Sequence, residues 1–210
     1  MAPSRCTEIP LREQAQLLQI AREAIAGSFR DSGQIDTLVA QFEGILVERR
    51  GVFVTLTKSG ALRGCIGTIE ARETLLVAVA DCARGAAFRD PRFPPIQEEE
   101  LAELQVEVSV LTSPQSMAVS TRVELLETLR PSVDGLLLED GMRRSTFLPQ
   151  VWEQLPDPEQ FLSHLLQKAG LPGDYWSKNM RCSRYQSTSI REQDLSLNLS
   201  IHELVNAVKI

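Results

Sequence analysis

The stretch Leu62-Arg63-Gly64-Cys65-Ile66-Gly67 sets one cysteine between two glycines, with an arginine two residues ahead of it. A thiolate is both a nucleophile and a metal ligand, and a guanidinium beside a thiol favours the thiolate and lowers its pKa. On a strand, residues two apart share a face at a spacing of about 6.5–7 Å. Arg63 and Cys65 are therefore expected on one face, with Gly67 next along it. Glycine is disfavoured inside strands because it packs nothing and loses backbone entropy. Gly64 and Gly67 thus signal a sharp turn, or the close approach of a ligand or another backbone. The residues leave two readings open. In one, Cys65 is a nucleophile or thiol ligand, Arg63 stabilises the thiolate or an anion, and Gly64 and Gly67 border a bound substrate. In the other, Cys65 is a small packed residue at a bulge, since free cysteine is among the most buried residue types.

A second charged motif is Arg89-Asp90-Pro91-Arg92-Phe93-Pro94-Pro95. Pro91 disfavours helix at Asp90, and Pro94-Pro95 forces extended backbone. Arg89, Asp90 and Arg92 then stand in a rigid loop able to present charge to a substrate; a salt-bridged turn is the plainer alternative.

The remaining chemistry is sparse. Cys6, Cys82 and Cys182 form no C-x-x-C pair with one another or with Cys65, and Cys82 falls on the apolar face of an alanine-rich helix. His164 and His202 are the two histidines, both read as solvated, so no base for a thiol is evident. His202-Glu203-Leu204-Val205-Asn206 begins like a zincin motif but lacks its second histidine. Neither a metal nor a cofactor is expected. Gly64-Cys65-Ile66-Gly67 has the spacing of a KH-domain GXXG loop, yet it follows a strand pattern and its middle residues are not basic. Glu107 runs out of phase with Val106, Val108 and Val110, so it faces away from them and could serve as a carboxylate base if that side carries the site.

The elements that hold these residues follow from periodicity. Pro10 to about Phe29 and around Ile35 to Glu48 read as helices, Val52–Thr57 and Leu62–Ile69 as a hairpin turning at "KSGA", and the chain from Thr74 as a helix of small residues. "LQVEVSVLT" is a strand, Thr121 and Glu124 form a capping box, and "GLLLEDGMRRSTFL" is a hairpin turning at Asp140-Gly141. Asp157-Pro158 starts a helix that Gly170 stops after Lys168, and "YWSKNMRCSRYQS" is read as the last strand. "HELVNAVKI" reads as a terminal helix. Hairpins mixed with helices, without regular strand–helix alternation, predict an α+β fold on an antiparallel sheet.

Composition narrows the classes further. A chain of 210 residues with 43% hydrophobic and 24% charged residues can bury a full core. A net charge of -6 disfavours a general nucleic-acid binder. No apolar run is long enough to span a bilayer, and the start lacks a signal-peptide pattern, so a cytoplasmic protein is expected.

Several stretches taken together, "LRGCIG", "AAFRDPRFPPI", "LQVEVSVL", "DGLLLEDG", "TFLPQVWEQLPDPEQFLSHLLQKAGL" and "YWSKNMRCSRYQS", resemble the AMMECR domain family, and within it the prokaryotic AmmeMemoRadiSam system protein A branch. The similarity runs from about Leu11 to Ser187, within one AMMECR-like domain spanning 1–210. It implies a larger α/β part holding both termini, a smaller inserted β-rich part packed beside it, and a cleft between them lined by the cysteine motif. Arg63, Gly64, Cys65 and Gly67 match one family motif, and Arg89 to Phe93 match another. The resemblance also implies a Memo-like protein and a radical S-adenosylmethionine enzyme as partners. Two functions follow as expectations: an accessory enzyme using Cys65, or a non-catalytic adaptor that binds a partner enzyme or its substrate. An RNA-binding module is a third, disfavoured by charge.

Overall fold

The computed structural model describes residues 9–30 and 42–196. The helices are α1 (Leu11–Gly27), α2 (Leu75–Phe88), α3 (Arg122–Thr128), α4 (Pro158–Lys168) and α5 (Glu192–Ser196). The strands are β1 (Val52–Lys58), β2 (Ala61–Thr68), β3 (Leu104–Leu111), β4 (Gln115–Ser116), β5 (Gly135–Asp140), β6 (Arg143–Phe147), β7 (Arg181–Tyr185) and β8 (Ser187–Arg191). The fold is α+β with two separate sheets, ordered β2-β1-β3-β8 and β4-β7-β5-β6. Two compact units divide the chain: one ends at Leu111 and resumes at Thr188, and the other is Thr112–Ser187.

In the first unit, β1 pairs antiparallel with both β2 and β3. Val52, Val54 and Leu56 of β1 and Val106, Val108 and Val110 of β3 are buried in one core with α1 and α2. Alternation is the cause: every second side chain of a strand turns to the same face, and here that face is aliphatic. The β1–β2 turn places Ser59 and Gly60 at φ 51° and 78°. Two consecutive positive φ values suit a type I′ turn, whose twist matches that of the flanking strands.

In the second unit, β5 pairs antiparallel with β6 and β7 over α4, whose Phe161, Leu162, Leu165 and Leu166 are fully buried. Trp152 stacks on Phe161 at 3.8 Å between ring centroids. Thr121 caps α3 by accepting from the Glu124 N–H, and the Glu124 side chain completes the box. Asp157 caps α4, Pro158 is its first residue, and Gly170 follows its C-cap at φ 72°.

Two differences from the periodicity are informative. The helix expected from Ile35 falls largely on residues outside those described, and its described end, Gly44–Val47, is a single 3-10 turn. Beyond β7 the chain makes a further strand, β8, and then α5. The terminal helix expected from His202, together with Cys6 and His202 themselves, lies outside the described residues.

Candidate functional site

Cys65 stands on β2 directly opposite Thr55 of β1, and Thr55 in turn stands opposite Glu107 of β3. The Cys65 N–H donates to Asp90 Oδ2 at 2.8 Å, and its carbonyl accepts from Arg92 Nη2 at 3.3 Å. Its peptide groups therefore point off the sheet edge, which makes Thr55–Cys65 a non-hydrogen-bonded pair, the kind that brings side chains closest. Accordingly, Thr55 Oγ1 donates to Cys65 Sγ at 3.3 Å. The cysteine itself is half-buried.

The Pro-bracketed loop is what occupies the sheet edge. Asp90 is 4% exposed, and its carboxylate also accepts from the Arg92 N–H at 3.1 Å and from Arg92 Nη2 at 2.7 Å. Its carboxyl is held well below the usual range, first by the Arg92 hydrogen bond and then by the N–H groups of Cys65 and Arg92, against the cost of burial. The Arg92 side chain stays 55% exposed. Its guanidinium is held above its ordinary range chiefly by Asp90, with smaller contributions from Cys65. Arg89 turns elsewhere, to Asp81 at 3.0 Å on the exposed side of α2.

Arg63 departs from the expected arrangement. The register shifts between Leu56 and Thr57, which face Gly64 and Leu62, so Arg63 is the extra residue of a β-bulge. A bulge breaks the two-residue alternation on which a shared face with Cys65 depended. The Arg63 guanidinium bonds Glu100 at 3.0 and 3.1 Å and the Pro94 carbonyl at 2.9 Å. That pairing drives the Glu100 carboxyl down to about 2, the Arg63 hydrogen bond being the largest cause. The cation brought to Cys65 is Arg92.

The two glycines have packing reasons. A Cβ at Gly64 would meet the Ala86 carbonyl oxygen of α2 at 2.1 Å, and one at Gly67 would meet the Phe53 ring at 2.2 Å. Gly64 lets the alanine-rich helix lie against the strand backbone, and Gly67 makes room for an aromatic ring on the Cys65 face. Both are thus occupied by the protein's own atoms at the positions where the sequence suggested a ligand.

Apart from Phe53, the Cys65 face of this sheet is polar around Thr55. Beyond Thr55 and Glu107 it carries Ser109, whose hydroxyl lies 3.3 Å from that of Ser189, and Arg191, whose Nε donates to Glu107 Oε2 at 3.1 Å. Thr55 was not singled out by sequence reasoning; the signal was a hydroxyl between the apolar residues Val54 and Leu56 at the centre of the strand "VFVTLTK". The other described cysteines are poor nucleophiles. Burial pushes the Cys82 thiol up to about 11 and the Cys182 thiol up to about 12. His164 is exposed on α4. Among the described residues, no group of three or more His, Cys, Asp or Glu could hold a metal ion, and no helix is long and apolar enough to cross a membrane.

The first unit is thus a β2-β1-β3-β8 sheet with helices in its core and a cysteine held at its edge by an Arg-Asp-Pro-Arg loop. The AMMECR1 family model matches residues 18–190, and the chain belongs to that family. It is 42% identical over 178 residues to a Methanothermobacter thermautotrophicus protein, covering 84% of this chain and 92% of the relative. A Saccharolobus islandicus protein is 40% identical over 185 residues, covering 84% and 80%. The crystal structure of the uncharacterised protein PH0010 from Pyrococcus horikoshii superposes with a TM-score of 0.75 at 35% identity, covering 84% of this chain and 90% of that one.

Proposed function

We propose that the protein is an accessory enzyme that uses Cys65 as nucleophile or thiol ligand, with Arg92 as the cation beside it. The observation that carries this reading is the fixing of Cys65 on three sides: Asp90 at its N–H, Arg92 at its carbonyl and Thr55 at its sulfur. A half-buried cysteine needs none of this to fill space, whereas a reacting sulfur gains from being held in one place. We further assign the chain to the AmmeMemoRadiSam system protein A branch, with a Memo-like protein and a radical S-adenosylmethionine enzyme as partners and the cytoplasm as its location.

A second reading has its own support. Gly64, Gly67, Arg63 and Asp90 all serve internal packing or pairing. If the whole motif is scaffold, the protein is an adaptor, and recognition energy sits in a few large anchors rather than one thiol. Cys65→Ser separates the two in a strain where the gene has a scorable phenotype, because serine keeps the size but is a far weaker nucleophile. The enzyme reading expects loss of complementation with retained pull-down of the two partners. Full complementation by Cys65→Ser leaves only the adaptor.

A further inference from the structure

Thr55 puts a hydroxyl on this face where the neighbouring strand carries the cysteine. It sits midway along a central strand, between Val54 and Leu56 that turn into the core, and its own side chain turns the other way, half-exposed, between Cys65 and Glu107. Its hydroxyl oxygen lies 3.3 Å from the sulfur, in a position to donate its one proton to it. A neutral thiol is a weak acceptor, whereas an anionic acceptor makes hydrogen bonds roughly twice as strong as neutral ones. The bond is therefore worth more after Cys65 loses its proton than before. Register reinforces it, because this kind of cross-strand pair brings the two side chains closest. The Asp90 and Arg92 contacts to the Cys65 peptide fix the other end of the same residue.

We infer that Thr55 is a positioning residue for thiol chemistry at Cys65: its hydroxyl holds the sulfur in a single orientation and donates to it as it becomes the attacking anion. This rests on the reading of Cys65 as a reactive thiol. When the sulfur attacks a carbon electrophile such as iodoacetamide, an S–C bond forms, iodide leaves with the C–I electron pair, and the thiol proton goes to buffer. The threonine proton stays on its oxygen, so Thr55 acts as donor and not as base.

The test is the rate of Cys65 alkylation by iodoacetamide in the folded protein at neutral pH, resolved by intact mass and peptide mapping, for wild type, Thr55→Val, Thr55→Ala and Thr55→Ser. Valine keeps the branched shape and removes the hydroxyl; serine keeps the hydroxyl and removes the methyl. Thr55→Val is expected to react roughly tenfold more slowly, since losing a hydrogen bond to a charged group is a loss of that order. Thr55→Ser should stay close to wild type. Should valine perturb folding, judged by the melting temperature, Thr55→Ala gives the same reading without a branched replacement. A valine variant as fast as wild type overturns the inference while leaving a reactive Cys65 intact. So does a serine variant as slow as valine, which would make shape rather than the hydroxyl the cause. A wild-type protein in which Cys65 stays unmodified overturns both the inference and the reading beneath it.

Discussion

At the scale of single residues, the motif is a set of contacts measured in tenths of an ångström. Gly64 is the clearest case, because the atom its Cβ would meet is a backbone carbonyl oxygen, at 2.1 Å, and a backbone cannot turn aside as a side chain can. Gly85, on the facing helix, offers the comparison: its Cβ would meet the Ile66 Cγ2 methyl at 3.0 Å, which can rotate or shift. Gly64→Ala is expected to cost about 3 kcal/mol or more, the upper part of the range for overpacking a close contact. Gly85→Ala should fall within about 1 kcal/mol of wild type, since a mild clash is offset by the gain in helix propensity. Urea unfolding of both variants measures this. A Gly64→Ala protein as stable as wild type would show that α2 does not rest on the β2 backbone as described.

At the scale of elements, the helices and strands whose cause is local were legible in the sequence. The hairpin at Ser59-Gly60, the small-residue helix, the valine strand and the caps of α3 and α4 each follow from patterns a few residues long. What lay hidden depended on pairing. The bulge at Arg63 arises from the register between β1 and β2, and no alternation within one strand reveals it. It turned Arg63 to Glu100 and left Arg92, 27 residues beyond Cys65, as the cation at that cysteine. β8 was likewise missed, because its "STSIR" run is short and its partner is β3, far back in the chain.

The bulge also makes a pH prediction. Arg63 holds the Glu100 carboxyl at about 2 in the folded protein, against a reference value of 4.5. A depressed folded value means that the unfolded chain takes up the proton first. The stabilisation is therefore fully present above about pH 4.5 and lost as the pH falls towards 2. Glu100→Gln should be less stable than wild type at pH 6, and the gap should narrow steadily between pH 4.5 and 2. Denaturant titrations of both proteins across that window decide it. A constant gap would mean that Glu100 contributes through shape alone.

At the scale of the whole chain, the first unit is assembled from two segments separated by the entire second unit. Its return segment carries a polar clamp beyond the β8 strand. Glu192 of α5 accepts from Arg22 Nε at 2.6 Å, from Arg22 Nη2 at 2.8 Å and from the Val106 N–H at 2.8 Å. Arg22 of α1 also donates to the Leu101 carbonyl at 2.8 Å and the Leu104 carbonyl at 2.5 Å. Three parts of the unit, α1, the start of β3 and the returning chain, meet at this pair, 170 residues apart in sequence. Its side chains are 36% and 23% exposed, so it sits between a surface ion pair, worth under about 1 kcal/mol, and a buried one whose breaking costs about 3–5 kcal/mol. The number of hydrogen bonds decides towards the upper side, because Arg22→Met would leave two carbonyls and a carboxylate short of a donor. We expect Arg22→Met to cost about 2–3 kcal/mol, Glu192→Gln about 1–2 kcal/mol, and the double variant less than their sum by about 1 kcal/mol or more. Urea unfolding of the four proteins completes the cycle. Strict additivity would reduce the clamp to two unrelated surface contacts and leave the closure of the first unit to the pairing of β8 with β3 and the packing of Ile190 and Leu195 in its core.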